Sequence, residues 1–278
     1  MASKLAIHIP PEANPDNVTQ LMVALARDEY SFESVSDLID FADRQGLGTR
    51  TELQAIAVQM GLIKKIGERY EISEEGKAFT CLKDSVRGDV LHFLMYSGWQ
   101  PGEPLHFLPS WAYRRYCDHY WQLNIVELTS NFLDQQVTEI INDAENAFTE
   151  MGIAEFDGIS FSRKSLLGGR KWLEALRPSV LEDGKFQRRD FCPPELLLLA
   201  IGYVMRDELE AVDVDILLSH ARREEICRVC LLDPSAFDQT LDWMIPLFPK
   251  VILSSEDAGY YGRYIRLHRR PTLEDIIR

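Results

Sequence analysis

The sequence predicts a mainly α-helical fold with short β-hairpins. Three observations carry that expectation. Apolar residues recur at three- and four-residue spacing through most of the chain, which is the period of an amphipathic helix. Two stretches, residues 62–72 and 251–267, break that period with short apolar runs on either side of turn residues. The length, 278 residues, suggests about two domains on a soft prior of ~150 residues each. A run of three helices precedes each hairpin.

The first helix is "PDNVTQLMVALARDE", which opens on a proline–asparagine cap signal and places Val18, Leu21, Met22 and Leu25 on one helical face. "SFESVSDLIDFADRQGLG" offers Ser34 as N-cap, then Val35, Leu38, Ile39 and Ala42 inward, with Gly46 as the stop. A third helix begins at Thr49 and faces Leu53, Ile56, Ala57 and Met60 inward. "KKIGERYEIS" then makes two short strands around Gly67-Glu68, and "EEGKAFTCL" restarts a helix.

The stretch from "GLI" through "YEISEEG" resembles the end of bacterial winged helix-turn-helix domains. There "GLI" leads into the hairpin and a Y-x-I/L-S/T-x-x-G pattern leads out. Tyr70, Ile72, Ser73 and Gly76 occupy those positions, and the resemblance covers residues 15–82. It implies a module of residues 1–85.

The middle region, residues 86–190, is helical and aromatic. "VRGDVLHFLMYSGW" and "PSWAYRRYCDHYWQL" read as helices joined by a "QPGEP" loop. Residues 130–152 form an amphipathic helix with Leu133, Val137, Ile140, Ile141, Ala144 and Phe148 on one side. In residues 191–278, "CPPELLLLAIGYVMRDEL" puts prolines in a first helical turn. "VDILLSHARREEICRVCLL" and "DPSAFDQTLDWMIPLF" add two helices, the latter capped by Asp233 with Pro234 first. A hairpin of about Val251–Ser254 and Tyr261–Leu267 comes last. Three helices and a hairpin again suggest a winged helix. The expected architecture is tandem winged-helix modules flanking a helical middle region.

Charge limits the partners. The formal net charge is −14, which argues against broad coating of nucleic acid, since that rests on neutralising phosphates. Charge also segregates. Residues 101–160 hold ten acidic and two basic side chains, whereas 163–189 hold eight basic and three acidic. No apolar run reaches the ~20 residues of a membrane span. The start, "MASKLAIHIPPEAN", lacks the layout of a secretory signal. Five irregularly spaced cysteines read as reduced thiols of a cytoplasmic protein.

A winged helix that reads DNA puts its third helix in the major groove and its hairpin on the backbone. The candidate contacts in the first module are Arg50, Gln54 and Gln59 on the solvent face of that helix, with Lys64, Lys65 and Arg69 at phosphates. Neighbouring glutamates offset these cations nearly one for one. The second hairpin mixes aromatic and basic groups at Tyr261, Arg263, Arg266 and Arg269. The basic segment adds Arg163, Lys164, Arg170, Lys171, Arg188 and Arg189. It either tracks a backbone, meets an acidic partner, or folds back on the acidic segment before it.

Cys227 and Cys230 form a lone C-x-x-C without the further ligands zinc requires, and they read as core thiols. His92, between Leu91 and Phe93, reads as a core histidine. No metal or cofactor is expected. Walker, nucleophile-elbow, HExxH, dinucleotide-binding and kinase patterns are missing, and no catalysis is expected.

These residues support two main functional readings. One is DNA binding, as a regulator or as the DNA-handling subunit of a bacterial DNA-processing or defence machine. In the other, the chain docks on protein, or on a second copy of itself, without touching DNA. Acidic tandem winged-helix proteins resemble the accessory subunits that dock on chromosome-organising ATPases. The aromatic region 92–121 would then be a partner or self-association face. A third reading makes that region the lining of a ligand pocket.

Overall fold

The first helix starts where its cap predicts. In a computed structural model, which describes all residues except 1–3, 29–30, 48–50, 68, 100–107, 151–156, 208–214 and 256–262, a short strand β1 (Leu5–Ala6) leads to α1 (Pro15–Asp28). Asn14 Oδ1 accepts the Asn17 N–H at 3.1 Å. Two-residue β2 (Ser31–Phe32) precedes α2 (Val35–Arg44), whose N-cap Ser34 accepts the Asp37 N–H at 3.2 Å. Then come α3 (Thr51–Gln59), the hairpin β3 (Ile63–Ile66) and β4 (Arg69–Ile72), and α4 (Glu74–Thr80). The sheet order is β2-β4-β3, so β2 joins the hairpin from across the module. Helix, strand, helix, helix, hairpin is winged-helix order.

The sequence motif has a mechanical basis here. Ser73 accepts the Gly76 N–H at 2.8 Å, which caps α4, and its hydroxyl reaches Gly61 O at 2.5 Å and Leu62 O at 3.1 Å. A Cβ on Gly76 would lie 2.1 Å from Leu62 O and 2.8 Å from Ile72 Cγ1. One serine and one glycine thus lock the helix exit onto the hairpin entrance.

The middle region holds α5 (Asp84–Ser97), α6 (Leu108–Leu123), β5 (Ile125–Glu127), α7 (Ser130–Glu150), β6 (Ile159–Ser160), α8 (Arg163–Glu174), β7 (Leu181–Glu182) and β8 (Lys185–Gln187). Strand β6 pairs in parallel with β1, tying the chain's start to α8. The order β5-β8-β7 makes β5 an edge strand. The β7–β8 turn was not expected, although its Asp183-Gly184 pair, with φ of 48° and 74°, is a strong hairpin signal.

The aromatic stretch is core. Trp111, Tyr113, Tyr116, Tyr120 and Trp121 of α6 are all buried. The expectations that these rings form a partner face or line a ligand pocket are therefore corrected. They fill the space between α6 and its neighbours, where each ring removes a large apolar area from water. Tyr113 packs against Trp172 with ring centroids 5.9 Å apart, and Tyr120 against Phe186 at 5.2 Å.

The last region repeats the first. It runs α9 (Pro194–Val204), β9 (Asp215–Leu217), α10 (His220–Cys230), α11 (Phe237–Met244), β10 (Ile252–Ser255) and β11 (Tyr264–Leu267). Sheet order β9-β11-β10 matches β2-β4-β3 place for place. The expected helix over "VDILLSHARREE" is corrected: its first residues are strand β9, because Ile216 pairs with Ile265 of β11. Ser219 then starts α10, as Ser34 starts α2. Asp233 accepts the Ser235 N–H at 2.9 Å and opens the turn leading into α11, as expected.

Helix α5 joins the parts. It packs on α1 of the first module, on α9 and α10 of the last, and on α6 and α8 between them. Buried apolar side chains form a single core cluster that runs from Ile7 to Ile276.

Candidate functional site

The surfaces a DNA-reading winged helix would use are the third helices, α3 and α11, and the two hairpins. On α3, Arg50 lies outside the described residues, and Gln59 is exposed. Gln54 is a correction. It was expected on the solvent face, but its exposure is 0% and neither amide atom has a hydrogen-bond partner. It falls between Leu53 and Ala57 on the side that meets the module core, so it cannot reach a base edge in this structure.

Lys64, Lys65, Arg69, Arg163, Lys164 and Lys171, expected at phosphates, are exposed, yet most are already engaged. Lys65 Nζ lies over the Tyr70 ring, 5.6 Å from its centroid, and Lys64 faces Glu71 across the hairpin. Arg69 is 3.9 Å from Glu33. In α8, Arg163 is held by Asp134, Lys164 lies 3.8 Å from Glu12, and Arg170 bonds Glu174 at 2.7 Å. Lys171 donates to Pro11 O at 3.2 Å. Arg163 thus folds back on the acidic α7, as one reading of the basic segment expected. Lys185 meets the same acidic segment at β5, where it reaches Glu127 at 3.1 Å.

Arg188 and Arg189 are structural. Arg188 stacks on Trp121 at 4.1 Å from the ring centroid and donates to Trp121 O at 2.6 Å. Arg189 is buried. Its Nη1 bonds Asp89 Oδ1 at 2.7 Å and its Nε donates to Cys230 O at 2.8 Å. Asp89 Oδ2 also accepts the Arg177 N–H at 3.0 Å. Burial pushes the Asp89 carboxyl up, against the pull of Arg189. As a candidate phosphate contact Arg189 is corrected: it is a core ion partner.

In the second module Tyr261 lies outside the described residues. Arg263 bonds Asp242 at 2.6 Å, Arg266 grips Asp215 through two 3.0 Å bonds, and Arg269 is held by Asp275. Exposed pairs are each worth only about 0–1 kcal/mol, so a phosphate could compete for the arginines. Every such exchange, however, would leave an aspartate beside the phosphate.

What α11 adds at its solvent side is an apolar patch: Trp243 is 55% exposed, and Leu247, in the turn just after the helix, is 42% exposed. Asp238, Gln239 and Asp242 are exposed beside them. Trp243 is braced by Phe191, with ring centroids 5.6 Å apart. Leu253 on β10 and Ile66 at the first hairpin are also exposed. Nothing in the sequence marks Trp243, because an isolated tryptophan in an amphipathic helix has the pattern of a core residue.

The titratable groups inside are inert by burial. His92 is buried, with Nδ1 2.7 Å from Tyr113 Oη and Nε2 2.8 Å from Val229 O. Loss of solvent pulls its pKa down to about 3. Burial pushes the Cys227 and Cys230 thiols up, in keeping with core thiols. Among the described residues no group of His, Cys, Asp and Glu could hold a metal ion, and no helix is long and apolar enough to cross a membrane. No family model, curated protein or solved structure matches the chain.

Proposed function

We propose that this chain is a non-catalytic interaction subunit whose winged-helix modules dock on protein, and that it works in a bacterial cytoplasm. One observation carries the reading. The solvent side of α11 and the turn that follows it, where a DNA reader needs donors and cations, present Trp243 and Leu247 flanked by Asp238 and Asp242. Carboxylates repel phosphate, and a braced, half-exposed tryptophan is the kind of side chain that anchors protein interfaces. The arginines nearby serve to hold those carboxylates in place: Arg263 spans Asp238 and Asp242, and Arg223 bonds Asp238 at 2.9 Å.

Two measurements test it. A gel shift of the purified protein on random duplex DNA, from low to moderate salt, is expected to show no complex. A photo-crosslinking residue at Gln239 is expected to trap a protein in cells, and Trp243→Glu should abolish that adduct while leaving the melting temperature unchanged. A salt-sensitive DNA shift lost on charge reversal at Lys64 and Lys65 would overturn the proposal in favour of the DNA reader.

A further inference from the structure

A groove of about 570 Å³ lies between the end of α6, β5 and α7. It is remote in sequence from α11 and shares no residue with the Trp243 face. No lysine or arginine lines it. Its polar side is built around Glu139. Glu139 Oε2 accepts from Gln136 Nε2 at 2.6 Å and lies 3.6 Å from His119 Nδ1, while His119 Nε2 is 3.1 Å from Asp143 Oδ2.

Two buried atoms in this cluster are left over. Gln136 is 1% exposed, yet its Oε1 has no partner, and neither has His119 Nδ1. A buried polar atom without a hydrogen-bond partner is costly and uncommon in folded proteins, and at the wall of a groove it leaves an acceptor that an entering donor can use. Gln136 sits on the buried side of α7, four residues before the buried Ile140. The free oxygen shares its amide with the nitrogen that meets Glu139.

The opposite wall is a strand edge. Arg188 N donates to Asn124 O at 3.2 Å and Leu128 N to Gly184 O at 2.9 Å. In an antiparallel ladder the backbone groups alternate sides. Ile125 and Glu127 therefore turn theirs outward, where no further strand pairs among the described residues; the Glu127 carbonyl accepts the Thr129 N–H at 2.9 Å, so the edge rests on Ile125 and the Glu127 N–H. Ile125 is 57% exposed and Leu123 is 48% exposed beside it.

We infer that this groove binds an extended, arginine-bearing segment of a partner protein. The segment would add to the β5 edge through its backbone. Its guanidinium would enter between Glu139 and Asp143 and donate to Gln136 Oε1. Arginine fits better than lysine because its planar fork has five donors to distribute over two carboxylates and an amide. Leu123 and Ile125 would cover the apolar residues on either side.

The test uses the full chain and a fluorescein-labelled peptide, Val-Thr-Arg-Thr-Val, followed by fluorescence anisotropy. Saturable binding is expected. Citrulline in place of arginine, Glu139→Gln and Asp143→Asn should each weaken it about tenfold or more, the scale of a charge-assisted hydrogen bond. Ile125→Arg, a surface change that leaves folding intact, should block it. Glu145→Gln, on an exposed part of α7, and Trp243→Glu should leave it unchanged. The inference fails if no binding is seen up to millimolar protein, if the citrulline peptide binds equally well, or if Ile125→Arg binds as tightly as the parent.

Discussion

His92 shows how far a single side chain can set the pH response of this molecule. It is wholly enclosed between α5, α6 and the end of α10, and both ring nitrogens are used, by Tyr113 Oη and Val229 O. A proton added to the ring would bring an uncompensated charge into that space, beside Arg189, so burial first and the arginine second hold the pKa at about 3. In the unfolded chain the same ring titrates near 6.5. Between those two values the unfolded state binds the proton and the folded state does not. The contribution of His92 to stability is therefore complete above pH 6.5 and is lost as pH falls toward 3, by about 1.4 kcal/mol per unit. Urea unfolding at pH 7.0, 6.0 and 5.0 should show that slope. His92→Gln should be less stable at pH 7 but flatter by up to that amount per unit. An unchanged slope would mean the ring is protonated in the fold.

At the scale of elements, the helix–hairpin joint of the first module is the most determined feature. Ser73 and Gly76 do separate jobs there, one as cap and one as clearance. Gly76→Ala would drive a methyl group into Leu62 O, which is backbone and cannot turn aside. We expect a loss of about 1–3 kcal/mol, the usual cost of overpacking, read as a lower thermal midpoint. Ser73→Ala should cost about 1 kcal/mol as a lost cap. This joint was legible because each requirement is local: a cap, a turn and a tight approach within fifteen residues. So were Ser34, Asp233 and the apolar stripe of α7. Strands β2 and β9 were not legible. They are two and three residues long, and each pairs with a strand dozens of residues later, so nothing nearby marks them. The burial of Gln54 and Arg189 was hidden for another reason. Polar side chains enter a core when a distant element closes over them, and helical period alone cannot say which element that will be. The solvent position of Trp243 and the edge of β5 became visible only once the sheets were assembled.

For the whole molecule, the question is whether two modules of one topology behave as independent units. The arrangement of α5 argues that they do not. One helix buries residues against α1, α9 and α10, and its Asp89 joins the buried Arg189, the backbone after α8 and, through Arg189, the end of α10. Removing one member of such a pair strands a charge in the core, at a cost of about 3–5 kcal/mol. Asp89→Ala should therefore weaken both modules together. The chain offers a convenient reporter. All five tryptophans lie beyond residue 85, so their fluorescence tracks the middle and last regions, while amide exchange in α2 and α3 tracks the first. Under increasing urea the two signals, and far-ultraviolet circular dichroism with them, should share one midpoint, and Asp89→Ala should move all three by the same amount. If α2 and α3 instead exchange through an opening that the tryptophans do not see, and that Asp89→Ala does not shift, the first module is a separate unit. A protein-docking surface on α11 would then be free to move relative to the first hairpin. A common midpoint would fix the two winged helices as parts of one scaffold, with α11, the first hairpin and the β5 groove held at set distances for a partner to span.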